Sequence, residues 1–228
     1  MTKVVATVYG PRENPRAEGE SVSSGVLEVF VQFAPFSSRV RAQVTREETM
    51  ERERQVGAAL HAALLPSILL ERFPKSIVEV HLLVLEGDGG ELAAGITAAS
   101  AALVDAGVDL CGVVVASQVG LHHQVEEGKG SGSGGSGSGT GLAVDPTAVE
   151  ETQCVGLSTV AYMPTIERIT YASHSGTAGA NDVLQALSLC LQSCKSMEGA
   201  LRPVLVESVK ERLGTRQTQA VAGSMVEG

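Results

Sequence analysis

The turn Gly87-Asp88-Gly89-Gly90, running into ELAAGITAASAALVDAG, carries the clearest chemical possibility in the chain. A glycine turn that opens a helix presents free N–H groups and the positive end of the helix dipole, and together these attract an anion. A phosphate would want an arginine or a hydroxyl added there. Glu91 and Leu92 stand at the first helical positions instead, and a carboxylate competes with an incoming anion. The turn reads as an anion site that was built and then vacated. Cationic chemistry is offered by Arg52 and Arg54, which with Arg46 alternate with Glu47, Glu48, Glu51 and Glu53; ion pairing on a solvated helical face accounts for the same pattern. His122-His123 beside Glu126-Glu127 suggests a metal only weakly, because adjacent histidines lack the oriented outer shell that metal ligands need. Cys190 and Cys194 share a helix face with no His or Cys pair to complete a site, and with Cys111 and Cys154 they read as plain thiols. Matches to GxGxxG at Gly130, Gly132 and Gly135 fall in low-complexity sequence, and no GxSxG, P-loop or HExxH is present. Neither a metal nor a cofactor is expected.

The elements that would position these residues follow from periodicity. Val4–Tyr9 and Val26–Phe33 read as strands, the second alternating Leu27, Val29, Val31 and Phe33 with Glu28, Phe30 and Gln32. Thr45 and Glu48 form a capping-box pattern, so a helix begins near Arg46 with Val56, Leu60, Ala63 and Leu64 on one face; Pro66 splits or kinks it. Ile77–Leu85 reads as a strand entering the glycine turn. The helix Glu91–Ala106 is apolar nearly all round, which implies burial on nearly all sides. Val113–Val119, Gly156–Met163 and Arg168–Ser173 are further strands. A closing helix carries the seam Val183, Leu187, Cys190, Cys194, Met197, Leu201 and Val204, with a kink at Pro203. Residues 128–141, GKGSGSGGSGSGTG, form a flexible Gly/Ser loop, and Thr215–Gly228 a disordered tail. Strands interleaved with three main helices predict a mixed sheet with packed helices, an α+β or α/β single domain spanning residues 1–214.

Composition narrows the classes of function. Seventeen Lys and Arg against 26 Asp and Glu leave a net charge of −9, which opposes unaided attraction to nucleic-acid backbones. Aromatic residues make up 3%, so the core must rest on Ala, Val, Leu and Ile. The N-terminal apolar run is too short for a signal-peptide core, and no run approaches the roughly 20 apolar residues of a membrane helix. A soluble, intracellular protein without membrane contact is expected.

Four segments in order resemble the RNase PH family, and within it the RNase PH-like subunits of the RNA exosome ring: Thr2–Glu13, Leu70–Ser76, Asp88-Gly89-Gly90 running into Ala98–Gly107, and Ala161-Tyr162-Met163-Pro164. The resemblance spans Lys3 to Leu213. Val144-Asp145-Pro146-Thr147, Glu150-Glu151 and Gly156-Leu157 are most similar to the eukaryotic subfamily named for messenger-RNA transport regulation. The implied fold is an α+β RNase PH-like domain, of the ribosomal protein S5 domain 2-like type. Phosphorolytic members follow the DGG turn with Thr or Ser and then Arg, where this chain has Glu91 and Leu92; their catalytic Asp matches Leu157. The resemblance therefore implies a degenerate site and a non-catalytic ring subunit. Its partners would be other RNase PH-like subunits in a six-membered ring, S1/KH cap subunits, and RNA in the assembled pore, in the nucleus, nucleolus and cytoplasm. An RNA-contacting arginine pair of active relatives falls near Glu51-Arg52, with Arg54 one step away. The alternatives are an active phosphate-dependent 3′-5′ exoribonuclease sharing its site with a neighbour, or a scaffold outside any exosome. Relatives also begin some tens of residues earlier, so either the gene begins further upstream or a sheet edge is left open to a partner.

Overall fold

Alternation of apolar residues builds the first layer. In the structure, a computed structural model that describes residues 1–13, 24–37, 46–123 and 140–226, β1 (Lys3–Glu13), β2 (Val26–Phe33) and β3 (Ser76–Glu86) form a mixed sheet in the order β1-β3-β2. β1 runs antiparallel and β2 parallel to β3. β1 outruns the expected Val4–Tyr9 because it continues beyond an irregularity between Tyr9 and Arg12. Gly10 makes that possible, with φ +133° and no Cβ to strike the Ile77 carbonyl.

The helix α1 (Arg46–Leu64) follows β2 and buries Leu60, Ala63 and Leu64. Thr45, the expected cap, lies outside the described residues. Pro66 ends the helix rather than kinking it: Leu65–Ser67 tightens into a 3-10 turn. After β3 comes α2 (Glu91–Asp105), no residue of which is exposed. Its apolar circumference has a direct cause, because it is packed between the first sheet and a second, antiparallel one. Gly95 admits Leu82 on one side; on the other, the Ser100 hydroxyl accepts the Val114 N–H at 2.8 Å and Thr97 Oγ1 the Ala116 N–H at 3.1 Å. Small residues let the two backbones approach, and the hydroxyls satisfy the buried donors.

That second sheet is β4 (Val115–His123), β5 (Thr140–Val144), β6 (Gly156–Met163) and β7 (Arg168–Gly176), in the order β5-β4-β6-β7. The expected mixed sheet is therefore one of two. β5 and the short α3 (Ala148–Gln153), with its Thr147/Glu150 capping box, were not expected from the sequence. Apart from residues 140 and 141, which open β5, the Gly/Ser loop lies outside the described residues.

α4 (Ala180–Val226) lays Ala186, Cys190 and Cys194 on the second sheet. One expectation fails here. Met197 and Val204 are exposed, because beyond Cys194 the helix leaves the sheet and is held at the C-terminal end of α2 instead. Arg212 pairs with Asp105 there, and the Ser208 hydroxyl donates to it. The backbone is helical through Pro203 and on to Val226. Between Thr215 and Ala222 no glycine or proline interrupts it.

Candidate functional site

The glycine turn forms because Gly89 (φ +94°) and Gly90 (φ +61°) adopt backbone that other residues resist. A Cβ on Gly89 would stand 2.9 Å from the Ala148 nitrogen and closer still to the Pro146 carbonyl oxygen, so the segment entering α3 is pressed onto the turn. The Ala148 N–H donates to the Asp88 carbonyl at 2.8 Å. On the other side Thr2 Oγ1 donates to the Gly89 carbonyl at 2.5 Å and accepts the Asp88 N–H, while the Met1 amine pairs with the Asp88 carboxylate.

Two carboxylates occupy the N-terminal end of α2. The Glu91 side chain folds back over Gly87, filling the place a Cβ would take, and Glu91 Oε2 accepts from the Arg52 guanidinium at 2.5 Å. Arg52 also stacks over the Phe33 ring at 4.7 Å, and Glu53, beside it on α1, accepts the Phe33 N–H at 2.9 Å. The second carboxylate comes from α3: Glu151 Oε1 accepts the Gly90 N–H at 2.9 Å and the amide of buried Gln118, on β4, at 2.7 Å. An incoming anion would meet two negative charges already seated on its donors.

The structure brings Glu91 and Arg52 into contact, which their separation of 39 residues in the chain did not announce. Leu92, next to Glu91, packs against the main core. Leu157, on β6, is half-buried and pairs with Gly120 and Ser175, offering no proton-transferring group. Arg54 points elsewhere. It pairs with Glu51 at 3.1 Å and lines a groove of about 690 Å³ with Phe30, Gln32, His61 and His81. Hydrogen bonds from Arg54 and Gln55 hold the Glu51 carboxyl below its usual range.

Glu151 and Gln118 went unread in the sequence. The Thr147-x-x-Glu150 pattern was the available signal, since it announces the helix that carries Glu151. His122 is 3.4 Å from Cys154 Sγ, measured at Nε2; Glu126 and Glu127 lie outside the described residues. Burial, then Glu151 and Glu150, push the Cys154 thiol up. Among the described residues no three His, Cys, Asp or Glu side chains are grouped to hold a metal ion.

An α+β body of two sheets sharing one central helix, with a glycine turn at that helix's N-terminus, defines an RNase PH-like fold. Residues 1–109 match the 3′ exoribonuclease family, RNase PH, domain 1. The exosome complex component Rrp41 of Pyrobaculum neutrophilum is 31% identical over 204 residues, covering 90% of this chain and 76% of that protein. Exosome complex component MTR3 of Mus musculus is 32% identical over 223 residues, covering 92% and 76%. Rice (Oryza sativa) Rrp46 superposes with a TM-score of 0.70 over 90% of this chain and 84% of that one, at 24% identity, a likeness of fold. The chain belongs to the RNase PH family.

Proposed function

We propose that the chain is a non-catalytic subunit of the exosome ring, helping to form the pore through which RNA passes and the platform that S1/KH cap subunits bind. The observation that carries this reading is the α2 N-terminus, where Glu91 holds Arg52 and Glu151 takes the Gly90 N–H. Phosphorolysis needs an oriented phosphate and a group that assists the leaving oxygen. Here the first would be repelled, and Leu157 cannot supply the second. Relatives named as exosome components support the assembly, and the ring would be completed by other RNase PH-like chains in a six-membered arrangement. The candidates for RNA contact are Arg52 and Arg54 on α1, the first paired with Glu91 and the second with Glu51. The proposed locations are nucleus, nucleolus and cytoplasm; no described helix is long and apolar enough to cross a membrane.

The Rrp41 relatives match as well as the MTR3 relatives do, which gives the second reading, an active phosphate-dependent 3′-5′ exoribonuclease sharing its site with a neighbour, its own support. One assay separates the two. With RNA, inorganic phosphate and magnesium, release of nucleoside diphosphates that depends on this chain's own residues establishes the active enzyme. The expected result is no release.

A further inference from the structure

We propose that the groove at the free edge of β2 binds a nucleotide, its base stacked on Phe30 and its phosphate turned to Arg54 and His61. The site lies away from the α2 turn and goes beyond the reading given above. Three aromatic rings form a file across the outer face of the first sheet. Tyr9 on β1 and His81 on β3 meet edge to face at 5.3 Å, and His81 is stacked with Phe30 on β2 at 4.9 Å and 22°. Glu79 steadies the middle of the file, meeting His81 at 3.4 Å and Arg12 at 2.5 Å. Among the described residues β2 is the edge of its sheet, so the file ends at Phe30, which is 46% exposed and lines the groove of about 690 Å³. A ring held against a neighbour on one face offers its other face to a planar ligand.

The rest of the lining suits the rest of a nucleotide. Arg54 and His61 come from α1, while Gln32, on β2, brings an amide that both donates and accepts at a base edge. Gly57 and Ala58, on the α1 side, leave the space between the walls unfilled. Arg54 is paired with exposed Glu51, and an exposed ion pair of this kind holds its partner weakly enough to yield it to a phosphate. Glu53, the acid lining the groove, is engaged by the Phe33 N–H. A net charge of −9 opposes binding driven by charge, so stacking must carry most of the affinity and a base is required. The ligand class is therefore a nucleotide, free or within single-stranded RNA.

The test titrates the full chain with adenosine monophosphate, with ribose 5-phosphate, and with oligoadenylate carrying one 2-aminopurine, a base whose fluorescence falls when it stacks. Adenosine monophosphate or the oligonucleotide is expected to bind, the latter with quenching, and ribose 5-phosphate is not. Phe30→Leu keeps an apolar side chain but removes the ring; it should weaken binding about tenfold and abolish the quenching, whereas Phe30→Trp should retain both. Arg54→Gln should weaken binding and flatten its salt dependence by about 0.7 in logarithmic slope, the loss of one phosphate contact. Adenosine monophosphate bound as tightly as the oligonucleotide assigns a free nucleotide, and tighter binding of the oligonucleotide assigns an RNA strand. Unchanged binding by a folded Phe30→Leu protein, checked by melting and circular dichroism, overturns the proposal, as does equal binding of ribose 5-phosphate. So does an unaltered chain that binds none of the three ligands; if light scattering shows that chain to self-associate and Phe30→Leu to prevent it, the face belongs to a protein contact instead.

Discussion

Gly89 shows how much of this site depends on a missing side chain. With φ +94° and the Pro146–Ala148 backbone against its α-carbon, Gly89→Ala is expected to cost about 2 kcal/mol or more in denaturant unfolding, with the loss centred on the turn. The cysteines illustrate the opposite case, side chains withdrawn from chemistry by packing. Burial pushes the Cys190 thiol up to about 12 and Cys194 to about 11, and each thiol donates to a carbonyl of β6. A thiol reagent at neutral pH should therefore label exposed Cys111 first, and Cys190 and Cys194 only on unfolding. The same shifts fix the sign of a pH effect. The folded state keeps these protons where the unfolded chain loses them, so the stabilisation is present below about pH 9 and is lost as pH rises toward 12. Thermal melts across that range should fall, and a Cys190→Ala, Cys194→Ala protein should fall less steeply.

At the scale of elements, α3 is a six-residue helix that exists to deliver one carboxylate. Six residues are too few to be stable alone, so the cap and the contacts of the helix must supply the difference. Thr147→Ala removes the acceptor for the Glu150 N–H and is expected to cost about 1 kcal/mol, read by chemical denaturation. Thr147→Ser should restore most of it. α2 is the complementary element. Its Ala, Gly, Ser and Thr residues pack on both sheets, and it could not be exchanged for a conventional amphipathic helix without leaving Val114 and Ala116 donors unpaired.

For the whole molecule, the two halves of the sequence meet as hairpin partners, with His123 opposite Thr140. The loop between them therefore closes a distance that β4 and β5 already hold. Removing residues 129–139 is expected to shift the melting temperature by no more than about 2 °C, since the change in loop-closure free energy is about 1 kcal/mol or less. A loss of several degrees, or the release of a cap protein from the purified complex, would show that the segment does more than connect. Away from this hairpin, five exposed apolar residues, Val5, Tyr9, Val26, Phe30 and Leu83, share the face of the first sheet turned away from α2.

Local pattern was enough to place β2, β6 and the start of α1 to the residue, and to read α2 as buried, because periodicity records which side chains must leave water. It was also enough to put Glu91 and Leu92 at the first positions of α2, since a glycine turn ahead of an apolar run marks a helix start. Short β5 and α3 escaped it, their signals being a few residues long beside low-complexity sequence. Tertiary structure alone decided the rest. That Arg52 reaches Glu91, that Glu151 crosses from α3 to the Gly90 N–H, and that the seam of α4 leaves the sheet after Cys194 are consequences of how elements cross in space. Contacts between residues 39 or 61 positions apart leave no periodic trace in a single sequence, because they are specified by packing geometry.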